Sequence, residues 1–174
     1  MNPLLKVREA FQNGILPEKE YSLIVKRFPI VVSGISRIEK ASGVNFPIAY
    51  VEPSVTMSSP NVNSFEYGIL FARTIPVVAN DNLHVVIQIS APLVAYGLKG
   101  TIHAVLAHEF MHYVELVRKF TSLDILSDET VGTLHETIYS DYERLYEPKW
   151  LFQDRGLIRL LNSRFVDGLV DDRL

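Results

Sequence analysis

Gly100-Thr101-Ile102-His103-Ala104-Val105-Leu106-Ala107-His108-Glu109-Phe110-Met111-His112-Tyr113-Val114 is the stretch on which the reading of this chain turns. Its first half is apolar nearly all round, the pattern of a central helix buried on every side, and it predicts a helix over 102–120 started by Gly100-Thr101. Two imidazoles and a carboxylate inside such a helix are costly unless they are paired or bind a metal.

Working outward, residues 83–90 alternate. Leu83, Val85, Ile87 and Ile89 fall on one face, and His84, Val86, Gln88 and Ser90 on the other. One face belongs to a core and the other is half polar, which predicts an edge strand or the wall of a cleft. Apolar positions at Leu23, Ile24, Phe28, Val31, Ile35 and Ile38 predict a helix over 17–40, bent or interrupted at Pro29 and closed by Ser42-Gly43. A short strand is expected at 46–51, then a Pro/Ser/Asn-rich loop over 52–63. Residues 65–78 read as one strand or as two broken at Pro76. After the motif helix come a loop near 122–127, a helix over 128–147 that stops before Pro148, and a last helix over 157–171. Helices, then strands, then helices argue an α+β fold rather than alternating α/β. With no repeat or linker, 1–174 reads as one domain: N-terminal helices to about 42, a small mixed sheet over 46–90, and helices over 100–172.

Composition narrows the chemistry. The chain has 174 residues, 48% of them hydrophobic and 21% charged, enough apolar material for a real core. A net charge of -3 gives no electrostatic reason to expect nucleic acid or an anionic membrane. No stretch is long and uncharged enough to span a bilayer, and the first residues lack a signal peptide's apolar run, so a cytoplasmic protein is expected. With no cysteine, any metal must be held by His and carboxylates.

Residues four apart on a helix share a face one turn apart, so His108 and His112 can direct ring nitrogens at one cation. Glu109, one position along, projects beside that cation rather than onto it. There it can accept a proton from a metal-bound water. Zinc brings the pKa of such a water toward neutrality, within reach of a carboxylate acting as general base. The bland reading is two helix histidines and a salt-bridging glutamate. It must explain why all three stand in so apolar a segment.

The motif, and the order strand, motif helix, second helix, resemble the zincin metallopeptidases. That resemblance implies an α+β zincin-like domain in which His108 and His112 bind zinc, Glu109 is the catalytic base, and the substrate lies along 83–90 as an edge strand. It covers about the middle third of the chain. The His-x-x-Gly-x-x-His extension of the metzincins is absent, and the family within the superfamily is left unassigned.

A catalytic zinc takes a third protein ligand and leaves one position open. If the two helices form an antiparallel hairpin, the level of the motif falls opposite residues near Tyr139, which brings forward Glu136 and Glu143. Gly132-Thr133-Leu134-His135-Glu136-Thr137-Ile138-Tyr139 looks like the aspzincin signature Gly-Thr-x-x-Asp-x-x-Tyr, with Glu where that family has Asp. This likeness implies Glu136 as third ligand and Tyr139 as a catalytic hydrogen-bond donor to the developing oxyanion. Glu143-Arg144-Leu145-Tyr146-Glu147 is similar instead to the Glu-x-x-x-Asp of gluzincins, with Glu143 as ligand and Glu147 orienting a histidine. The bland readings are a capping box from Thr133 to Glu136 and a solvated Glu143.

The expected function is a zinc endopeptidase acting on peptide or protein substrates through a Glu109-activated water. The rivals are a non-proteolytic zincin-like scaffold, with metal structural or absent, and hydrolysis of a non-peptide amide. His103, five residues before His108, turns to another side of the helix and reads as structural. His84, on the polar face of its strand, can touch substrate or face water, and the second is the preferred reading.

Overall fold

Ile24, Val31 and Ile38 recur every seven residues, and all three are buried in one helix that runs through Pro29 without ending. The computed structural model describes residues 2–58, 68–79, 82–122 and 147–165. In it α1 spans Leu5–Gln12 and α2 spans Glu18–Ser42. An interior proline removes a helix hydrogen bond and costs about 3 kcal/mol. Here the same apolar stripe is buried on both sides of it, which offsets that cost. Gly43, at φ 71°, supplies the left-handed residue that stops the helix.

The strands are β1 Ile48–Glu52, β2 Thr56–Ser58, β3 Gly68–Leu70, β4 Ala72–Ala79 and β5 Asn82–Ser90. β2 and β3 pair antiparallel by themselves. The other three form a mixed sheet in the order β1-β5-β4, with β1 parallel and β4 antiparallel to β5. The chain continues through α3 Ala91–Tyr96, α4 Lys99–Ser122, α5 Pro148–Leu151 and α6 Arg155–Arg164. This is the expected α+β arrangement with a small mixed sheet. Among the described residues no helix is long and apolar enough to cross a membrane.

Two expectations about the sheet are corrected. Residues 83–90 are not an edge: β5 is the central strand, paired on both sides. Its half-polar face is not a cleft wall either. Gln88 is buried, donates to Tyr50 Oη and, at 3.2 Å, to Glu52 Oε1, and accepts from Arg73 Nε. These polar side chains satisfy one another across three strands, while Val51, Ala72, Ile87 and Ile89 on the other face enter the core. The break in the preceding strand falls at Phe71 and not at Pro76.

The edge is β4. Ser90 N–H donates to Phe71 O at 2.8 Å, so odd-numbered β4 residues pair with β5 and even-numbered ones turn their backbone groups outward. Pro76 is even-numbered, so its missing N–H falls on the outward side, where a proline is tolerated.

α4 is held against the sheet by its neighbours α2 and α6. Gly34 is where α2 crosses it. A Cβ there would stand 2.9 Å from both His103 Cδ2 and Leu106 Cδ1, so the close approach needs glycine. His103 lies buried at this crossing with Nε2 3.2 Å from Ser33 Oγ, and burial pushes its pKa down. Arg27 of α2 donates to Val94 O at 3.0 Å and to Gly97 O, satisfying carbonyls at the end of α3.

Asp154 caps α6. Its Oδ1 accepts from Gly156 N–H at 2.8 Å and Leu157 N–H at 3.0 Å, and Arg37 grips both carboxylate oxygens at 2.6 and 3.0 Å. The Arg37 guanidinium above all, helped by the helix N–H groups, brings the Asp154 pKa from 3.8 down to about 2. A carboxylate depressed in the folded state stabilises fully above its unfolded value and loses that contribution as pH falls through its folded one. Between about pH 4 and pH 2, wild type is expected to lose about 1–2 kcal/mol that Asp154→Asn does not, allowing for screening by solvent. Urea denaturation across that range checks it; parallel curves for the two proteins would refute it.

Candidate functional site

The side chains His108, Glu109 and His112 come from little more than one turn of α4, a helix that packs on β4 and β5. Ile102, Leu106 and Phe110 are fully buried and fix the rotation of the helix. His108 is 1% exposed and Glu109 5% exposed, while His112 is half-buried.

The two imidazoles converge. His108 Nε2 and His112 Nε2 stand 3.0 Å apart, with ring centroids 4.6 Å apart and planes at 89°. Two ligands of a tetrahedral cation with bonds of about 2.0–2.1 Å are separated by about 3.3 Å. The two nitrogens stand at hydrogen-bond distance, and their separation is close to the spacing of two ligands on one such ion. Phe165, at the C-terminal end of α6, stacks on the His108 ring with centroids 4.1 Å apart and planes 12° from parallel. That contact fixes the plane in which the ring lies.

Glu109 points elsewhere. Thr74 Oγ1 on β4 is 2.8 Å from Glu109 Oε2 and 2.8 Å from the Glu109 main-chain oxygen. The carboxylate is thus tied to β4. Glu109 follows His108 directly in α4, so its side chain leaves the helix about 100° round from that histidine.

Among the described residues no group of three or more His, Asp or Glu side chains comes together as a metal site. Glu136, Tyr139 and Glu143 fall within 123–146, outside the described residues, while Glu147 is exposed just before α5 and pairs with Lys149. His103 faces α2, and His84 is exposed near the start of β5. Thr74 and Phe165 went unread in the sequence. Thr74 is 35 residues from Glu109, and nothing local marks either residue as a neighbour of the motif.

Comparison with known protein families, curated proteins and solved structures finds no match.

Proposed function

We propose that the chain is a zincin-type metal-dependent hydrolase, a zinc endopeptidase. The observation that carries this reading is the 3.0 Å approach of the His108 and His112 Nε2 atoms, with Glu109 fastened alongside them to an edge strand. His108 and His112 would hold the ion, and Glu136 or Glu143 would complete the set. A zinc ion held there supplies a Lewis acid for a carbonyl and eases the ionisation of water. Glu109 takes the proton from the attacking water and can pass it on to the leaving amine. Tyr139 is the candidate donor to the developing oxyanion. The peptide adds as a strand to β4, whose even-numbered residues offer backbone groups outward among the described residues. Thr74 then stands beside both base and substrate. A chain without cysteine needs no oxidising compartment, in keeping with a cytoplasmic enzyme.

A second reading draws on the burial of His108 under Phe165. It is a zincin-like scaffold used for binding or regulation, in which the histidine pair is structural.

Elemental analysis separates the two. Wild type purified without chelators is expected to carry near-stoichiometric zinc, and His112→Ala to lose most of it. A wild type that holds no zinc and takes up none when it is added would sink the hydrolase reading in favour of the scaffold.

A further inference from the structure

We infer that Thr74 is a positioning residue for Glu109, its hydroxyl aligning the carboxylate with a peptide laid along β4. The inference rests on the hydrolase reading above and adds to it a residue of the strand.

The geometry is specific. Thr74 Oγ1 has two acceptors at 2.8 Å, the Glu109 carboxylate and the Glu109 carbonyl, and only one hydrogen to give. An ionised carboxylate takes that hydrogen, because a bond to a charged acceptor is the stronger one. That bond fixes the orientation of the carboxylate.

The strand contributes the second half. Thr74 pairs in register with Ile87, and its own N–H and C=O lie on the outward side of β4. A peptide added at this edge can exchange both backbone hydrogen bonds with Thr74. Two residues on, Pro76 has no N–H to give, so a doubly bonded pair at that position is excluded. Thr74 is one of three even-numbered residues, with Ala72 and Val78, that can bond substrate twice, and its side chain also holds the base. β-Branching favours Thr here, since it restricts χ1 and keeps the hydroxyl aimed.

The test compares wild type, Thr74→Val and Thr74→Ser on a peptide substrate in the zinc-loaded protein, with infrared spectra of the metal-free protein alongside. The difference between wild type and Glu109→Gln isolates the Glu109 carboxylate band. Thr74→Val is expected to lower kcat about 10- to 100-fold with KM changed by less than about twofold, and Thr74→Ser to restore most of it. The carboxylate band should shift in Thr74→Val and return in Thr74→Ser. Should Thr74→Val fail to fold, Thr74→Ala carries the same expectation. An active wild type with an unchanged kcat in the hydroxyl-free variant, or an unmoved band, overturns this inference alone. A wild type without turnover overturns the hydrolase reading and this inference with it.

Discussion

Glu109→Gln is expected to lower peptidase turnover by about 10²- to 10⁴-fold while leaving zinc content unchanged. The side chain is 5% exposed, so the replacement must preserve its shape and its bond to the edge strand. Gln does both: the amide oxygen still accepts from Thr74 Oγ1, and the chain length is the same. What it loses is the ability to take a proton. Both histidines keep their imidazoles, and zinc content is the measurement that shows whether they still hold the ion. Turnover on a peptide library and zinc by elemental analysis, run on the same preparations, give the answer. Loss of activity with zinc retained assigns Glu109 to the chemistry. Loss of both would make it part of the ion's support, and full activity would remove it from the mechanism.

The motif was legible because its chemistry is local. Four residues is one helical turn, so the convergence of His108 and His112 follows once the helix is recognised from its apolar run. The helix in turn is recognisable because burial on all sides leaves so few polar positions between Ile102 and Ala107. Pro29 misleads in the other direction. A proline reads as an interruption, yet Ile24, Val31 and Ile38 pack along one stripe across it, and tertiary burial outweighs the local cost.

The sheet was harder for a physical reason. Alternation in 83–90 correctly assigns faces, but a half-polar face looks the same whether water or other side chains satisfy it. Gln88 finds its partners at sequence separations of 15, 36 and 38 residues, so no local pattern could show that the strand is central. Thr74 is invisible for the same reason. Its hydroxyl matters only because the β4–β5 hairpin brings it under a helix that begins about two dozen residues later. The candidate site is thus half helix periodicity, which a sequence displays, and half strand order, which it does not.

Phe110→Ala should cost about 3–5 kcal/mol of stability. The ring is fully buried between the two histidines in sequence and lies two positions from each, on a different side of the helix. It stacks on Phe46 with centroids 5.4 Å apart, and meets Tyr113 at 5.8 Å and Phe152 at 6.2 Å. Phe46 belongs to the segment leading into β1 and Phe152 to the link between α5 and α6, so one side chain ties both to the motif helix. Truncating it removes a large apolar group and leaves a cavity that three rings from three segments cannot jointly close. Trp150 supplies the contrast. It is the larger aromatic but 77% exposed, and Trp150→Ala should change stability by no more than about 0.5 kcal/mol. Urea denaturation of the metal-free proteins measures both. A cost below about 1 kcal/mol at Phe110 would mean that the motif helix is held chiefly by its crossing with α2 at Gly34 and not by this aromatic cluster. A cost in the expected range, with zinc content of the folded fraction unchanged, would show that Phe110 serves the fold and is not needed by the two histidines to hold an ion.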